Sequence, residues 1–122
     1  MGELNLRILG IKGAGNLADE RLVLLVTNDD NLGNYMVSFV REIGNDTISA
    51  KLILPMWFPD VEVKANDKIV VYTRSGKRGK KESGGGVVYF YYRNNDEPIC
   101  TSEDIGSVIF RIDEWRFGSK RL

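Results

Sequence analysis

Histidine is absent from the chain, and cysteine occurs once, at Cys100. Without imidazole, Ser-His-Asp and Cys-His arrangements are excluded, together with imidazole general-base chemistry and most zinc sites. A single cysteine forms no disulfide within the chain and builds no thiolate metal cluster. With no activating base in view, Cys100 is expected to be a buried structural thiol. Net charge is missing too: 17 Lys and Arg balance 17 Asp and Glu. The surface as a whole is therefore no polyanion trap, although local patches remain open. Long apolar runs are also lacking. Stretches such as Leu22–Val26 and Val87–Tyr92 fall far short of the ~20 residues that a bilayer-spanning helix needs. No membrane insertion is expected. Met1–Gly10 carries Glu3 and Arg7 and has no continuous apolar core, so no signal peptide is read there. An intracellular soluble protein is the default expectation.

What the chain does contain is a folded domain's composition, 43% apolar and 28% charged over 122 residues. That length suits one domain, residues 1–122, with enough core to fold without disulfide or metal. Period-two alternation recurs along it. Ile48, Ala50, Leu52 and Leu54 alternate with Thr47, Ser49, Lys51 and Ile53. Ile69, Val71 and Thr73 alternate with Lys68, Val70, Tyr72 and Arg74, and Val108, Phe110 and Ile112 with Ser107, Ile109 and Arg111. Successive strand side chains point to opposite faces, so each run is a candidate half-buried strand. Leu52, Val71 and Phe110 are expected inside. Runs apolar on both faces, 21–27 and 87–92, suit central or covered strands. Seven strands are predicted: 4–11, 20–27, 34–41, 47–54, 67–74, 86–93 and 106–113. Turn residues punctuate them, at Gly44-Asn45-Asp46, Asn28–Gly33 and Asn94–Pro98. No amphipathic helix is evident. The result is an all-β sandwich or partly closed barrel.

Segment 74–86 holds five cations, one carboxylate and five glycines. It is too glycine-rich for a helix and too polar to bury, and is expected to be a long mobile basic loop. Gly10-Ile11-Lys12-Gly13-Ala14-Gly15 faintly suggests a dinucleotide fingerprint, but a strand follows where a helix is required. Those glycines suit a turn or bulge. Paired carboxylates such as Asp29-Asp30 and Glu103-Asp104 lack the order of an EF-hand loop. No metal site and no cofactor are expected.

The run from Lys51 through Pro55, Trp57, Phe58 and Pro59 to Tyr72 resembles the lamin-tail-like domain family: a strand, an aromatic-proline corner and a strand ending in Val-Tyr. Glu20–Asn28 with Leu32–Met36 is similar to that family's second and third strands, and Asp104–Asp113 to its closing strand. The likeness is a spaced pattern over residues 4–113, with departures. Lys64–Asp67 lacks the turn glycine, tyrosines stand for the family's tryptophan strand, and Glu103-Asp104 replaces Gly-Asp. The resemblance implies an immunoglobulin-like β-sandwich and an accessory or interaction module without catalytic residues. The expected function is accordingly a non-enzymatic protein–protein interaction module, with a protein partner or a homo-oligomer. An aromatic patch of the outward-facing side chains on 86–93, with Tyr35 or Tyr72, would serve it.

The alternative is single-stranded nucleic-acid or other polyanion binding. Arg74, Lys77, Arg78, Lys80 and Lys81 would meet phosphates while Tyr89 and Tyr91 offer stacking faces. Arg116, Lys120 and Arg121 would extend that patch. A third reading is a purely structural domain, its tyrosines completing a core. Trp57, Phe58, Trp115 and Phe117 are the candidate packing anchors, with 119–122 a loose tail.

Overall fold

The computed structural model describes residues 3–122; Met1 and Gly2, part of the segment read above for a signal peptide, lie outside the described residues. The chain is all-β and sandwich-like. Its strands are β1 (Leu6–Lys12), β2 (Arg21–Val26), β3 (Asp30–Asn31), β4 (Tyr35–Gly44), β5 (Thr47–Ile48), β6 (Ile53–Trp57), β7 (Glu62–Val63), β8 (Lys68–Tyr72), β9 (Gly79–Ser83), β10 (Gly86–Tyr92) and β11 (Ile105–Arg111). One 3-10 turn, Leu32–Asn34, precedes β4. Among the described residues, no helix is long and apolar enough to cross a membrane.

A five-stranded sheet runs in the order β1-β2-β8-β10-β9. A smaller sheet sets β11 against β4, with β6 and β5 also pairing with β4. The core lies between them. Leu22, Leu24, Ile69, Val71 and Tyr91 from the larger sheet meet Tyr35, Val37 and Phe58 from the smaller side, all buried. Register explains why: Leu22 opposes Val71 and Leu24 opposes Ile69, so their shared face is apolar throughout. The alternation read in 68–74 therefore holds.

Two expected segments differ. Residues 47–54 are not one strand but β5, a bend and the start of β6, with Ile48 exposed and Leu52 only half-buried. Leu54 adopts a positive φ of 50°, and β6 carries an extra residue where Val37 and Phe39 pair with Met56 and Ile53. That bulge breaks the two-residue period. It also places the Pro55 carbonyl to accept from Arg93 Nη2 at 2.8 Å, tying the end of β10 to β6. Along β11 the core takes Ile109, opposite Val37. Phe110 opposes Met36, which opposes Trp57 in turn, so Phe110 lies on the outer face.

The second departure is the basic segment. Residues 79–83 form β9, paired antiparallel with β10 through a Gly84-Gly85 turn. β8 and β10 are parallel, so the chain leaving Tyr72 must cross the end of β10 to reach β9. The glycines predicted for a turn or bulge near residue 10 do mark one: pairing of β1 with β2 shifts between Ile8 and Gly10, where φ is 144°.

Glu20 has 0% of its surface exposed. Its carboxylate accepts from the amides of Gly15 at 3.0 Å, Ile99 at 2.8 Å and Cys100 at 2.7 Å, and from the Thr73 hydroxyl. Burial pushes its pKa up, but these four donors outweigh burial and leave it lowered. At the opposite end Asp30 accepts from the Tyr35 hydroxyl at 2.6 Å and from Arg111 at 2.9 Å. There too burial raises the pKa, and the Tyr35, Asn31, Asn5 and Arg111 hydrogen bonds bring it far down. Because both folded values are depressed, both contributions are complete above the ordinary carboxylate range. They fade as pH falls below ~4, where the unfolded chain takes up protons first. Urea unfolding is expected to give constant stability from neutral pH to about 5, then a decline. Glu20→Gln should cost about 2 kcal/mol at pH 7 and flatten that decline, because one amide donor faces groups that are all donors. A slope unchanged by Glu20→Gln would remove Glu20 from this account.

Candidate functional site

The larger sheet presents three rows on its outer face, read directly from register. One row is Lys81, Val88, Lys68, Leu25 and Arg7, in order from β9 to β1. The next is Phe90, Val70 and Val23, ending beside Leu9 and Gly10 in β1. The third is Tyr92, Tyr72, Arg21 and Lys12. An apolar row thus lies between two rows that carry cations, and no carboxylate stands in any of them.

The third row is closely packed. The Tyr72 and Tyr92 rings stack with centroids 5.2 Å apart and planes 8° from parallel. The Arg21 guanidinium carbon lies 5.7 Å from the Tyr72 centroid; that of Arg74 lies 4.5 Å from Tyr72 and 5.2 Å from Tyr92. Gly76, in the segment crossing the end of β10, abuts the Tyr92 ring so closely that a Cβ would stand 2.3 Å from its carbons. Arg21 donates to the Asp19 carbonyl, and Arg74 to the Ala18 and Ser75 carbonyls. Carbonyls satisfy the donors but leave the charges uncompensated. None of Arg7, Lys12, Arg21, Lys68, Arg74 and Lys81 forms an ion pair among the described residues.

A second feature lies on the inner face of the β9–β10 hairpin. Arg78, Gly79, Lys80, Tyr89, Tyr91 and Val61 line an open hollow of about 290 Å³. The Arg78 guanidinium carbon is 5.8 Å from the Tyr91 centroid. Tyr91 is only 4% exposed, and its ring meets Phe58 edge-on at 5.3 Å. Burial raises the pKa of both tyrosines; Arg78 partly offsets this at Tyr91, while Asp67 adds to it at Tyr89. Both hydroxyls therefore stay protonated at neutral pH.

The seven predicted binding residues are thus divided between surfaces. Arg78, Lys80, Tyr89 and Tyr91 meet in the hollow, whereas Arg74 and Lys81 belong to the outer face. Lys77 is exposed in the crossing segment. Tyr91 turns one side of its ring to the core, so it is no open stacking platform. Tyr35, expected in an exposed patch, is fully buried. Phe90 and Tyr92 prove to be the outward-facing pair of β10, with Tyr72 beside Tyr92. The row partners Arg21, Lys68 and Arg7 were not legible in the sequence, because residues far apart in the chain become neighbours only through strand pairing.

The anchors separate likewise. Phe58 is core. Trp57 points outward, 45% exposed, with Nε1 donating to the Gly33 carbonyl at 2.8 Å and Trp115 edge-on at 5.1 Å. Trp115 is itself 68% exposed, and Phe117, at 77%, anchors nothing. Residues 112–122 form no strand, so Arg116, Lys120 and Arg121 belong to an exposed terminal segment tied to the smaller sheet through Trp115. Cys100 is buried, and burial together with Glu20 pushes its thiol up to about 12, so it stays protonated and unreactive. Among the described residues, no three Cys, Asp or Glu side chains gather closely enough to hold a metal ion.

Gly76→Ala is expected to cost about 1–2 kcal/mol by overpacking the Tyr92 ring. It should also reduce the tyrosine near-ultraviolet circular dichroism; an unaltered spectrum would show that the contact does not hold the stack. Comparison with models of known protein families, with curated proteins and with solved structures finds no match to this chain.

Proposed function

We propose that the protein is a non-enzymatic interaction module that docks an acidic, amphipathic helical segment of a partner protein on the outer face of its five-stranded sheet. The observation that carries this is the apolar row flanked by two cationic rows without a carboxylate, unpaired among the described residues, in a chain whose total charge is zero. Same-face residues in a strand repeat about every 6.7 Å, so the outer rows stand about 13 Å apart, and a helix is about 10–12 Å wide. Five strands span about 19 Å, the length of roughly 13 helical residues. Such a helix would cover the exposed Leu9 and the half-buried Phe90 and Val23, above the already buried Val70, while its flanking carboxylates meet Lys68 and Arg7 on one side and Arg21 and Lys12 on the other. Charge complementarity of this kind chiefly supplies specificity and association rate, and apolar burial supplies affinity.

Single-stranded nucleic acid fits this face less well. Arg21 and Gly76 flank the tyrosine stack, and the middle row is largely aliphatic, so bases find few open ring faces. The spaced likeness to lamin-tail-like domains, an immunoglobulin-like family of accessory modules, favours the protein reading.

Fluorescence anisotropy with a labelled peptide of ~20 residues, leucine on one helical face and glutamate on both flanks, tests the proposal. Saturable binding is expected, weakening as salt rises from ~50 to ~200 mM. Arg7→Glu with Lys68→Glu should weaken it by at least ~10-fold, about 1.4 kcal/mol. Leu9→Ser, at an exposed site, should weaken it a few-fold with the fold intact. Indifference to charge reversal, or preference for a single-stranded oligonucleotide over the peptide, would overturn the assignment.

A further inference from the structure

The hollow between the β9–β10 hairpin and Val61 is chemically distinct from the outer face and points to a different ligand. Its polar side chains can all donate: the Arg78 guanidinium, the Lys80 ammonium and two phenolic hydroxyls that are neutral at physiological pH. Neither cation has an ion-pair partner among the described residues. Neither hydroxyl is hydrogen-bonded to a described residue or sealed from solvent. Glu82, two residues from Lys80 on the same face of β9, does not line the hollow and forms no ion pair among the described residues. Other nearby carboxylates are committed elsewhere. Glu62 accepts from Asn31, Asp60 lies against Gly33, and the buried Asp67 accepts from the amides of Lys64 and Val87. A site with two unpaired cations, two hydroxyls able to donate and no carboxylate in its lining favours a compact oxyanion carrying more than one negative charge, because guanidinium and ammonium bonds to such oxygens are charge-assisted. Val61 and the tyrosine rings add an apolar wall, which bare phosphate would leave unused. The volume, about 290 Å³, lies at the lower edge of ligand pockets, ~300–1,000 Å³, and limits the ligand to roughly the size of a mononucleotide.

We propose that this hollow binds a phosphate monoester carried on a small aryl or nucleoside group, with Arg78 and Lys80 holding the phosphate, the Tyr89 and Tyr91 hydroxyls donating to it, and Val61 packing against the group that bears it. The site is independent of the outer face: Arg78, Lys80, Tyr89 and Tyr91 face the interior side of the sheet, and the helix-docking rows occupy the other.

Isothermal titration calorimetry of the whole chain with phenyl phosphate, adenosine 5′-monophosphate, inorganic phosphate and adenosine tests this. Both esters should saturate the site, inorganic phosphate should bind at least ~10-fold more weakly, and adenosine should not bind. A preference between the two esters identifies whether an aryl or a nucleoside carries the phosphate. Arg78→Gln and Lys80→Gln should each weaken the esters by at least ~10-fold, since a charged donor is lost from each. Both side chains are exposed, so neither change threatens the fold. Tyr91→Phe keeps the ring's packing on Phe58 and should weaken binding ~3-fold or more through the hydroxyl alone. Lys77→Gln, outside the hollow, should change nothing, and Arg7→Glu with Lys68→Glu should leave ester binding intact, which separates this site from the docking face. The proposal falls if no ester saturates below ~5 mM, if adenosine binds as well as its phosphate, or if the Arg78 and Lys80 variants bind normally.

Discussion

A charged carboxylate without solvent contact is costly unless donors surround it, and Glu20 meets that condition only where three stretches of chain converge. The loop at Gly15, the residue after β8 and the segment following β10 each supply a bond. Losing any one of them leaves a buried charge short of a donor, so the three are energetically coupled. Thr73 is the residue at which the chain leaves β8 for its crossing, and Ile99 and Cys100 lie beyond the exit from β10. The carboxylate therefore helps fix the ends of the two parallel central strands, on which both candidate surfaces depend.

Parallel pairing of β8 and β10 has a further consequence. Parallel neighbours cannot be joined by a hairpin, and here the chain from β8 crosses the end of β10 without a helix, returns along β9 and carries the basic residues. Crossing the end of β10 brings Gly76 onto Tyr92 and Arg74 onto the tyrosine stack, and delivers Arg78 to the opposite side of the sheet above Tyr91. Strand β9 then alternates, Lys80 inward and Lys81 outward. One topological step thus divides a single run of positive charge between two faces. Among the described residues none of those charges forms an ion pair, while carboxylates elsewhere hold the termini and turns, as at Asp30 with Arg111 and Asp67 beneath the start of β10. A β9 edge bearing exposed lysines also resists unplanned strand pairing.

Much of the fold was legible in the sequence. Alternation at 68–74 located β8 and its buried face, because Ile69, Val71 and Thr73 follow the strand's own period. The same logic failed at 47–54, where a bulge at Leu54 and a bend consume the alternation, and at β11, where the phase holding Ser107 and Arg111 turns inward and pairing with β4 brings Ile109 opposite Val37. The glycine-rich composition of 74–86 concealed β9, a strand stabilised by β10 and not by its own propensity. Of the candidate site, proximity in sequence identified Arg78, Lys80, Tyr89 and Tyr91. Of the outer face, the outward aromatics of β10, Tyr72, Arg74 and Lys81 could be named from the sequence, but their alignment with Arg7, Arg21 and Lys68 could not, since those residues meet only across strands.

The amino-acid sequence by itself determined the class of structure and the chemistry excluded. Periodicity two is a local property of the extended backbone, and the lack of histidine needs no fold to interpret. Tertiary structure alone decided which tyrosines face the core, which cations remain unpaired, and that one basic stretch serves two surfaces. Those outcomes follow from the order and direction of strand pairing. They are set by contacts between distant residues, and no local pattern of side chains encodes them.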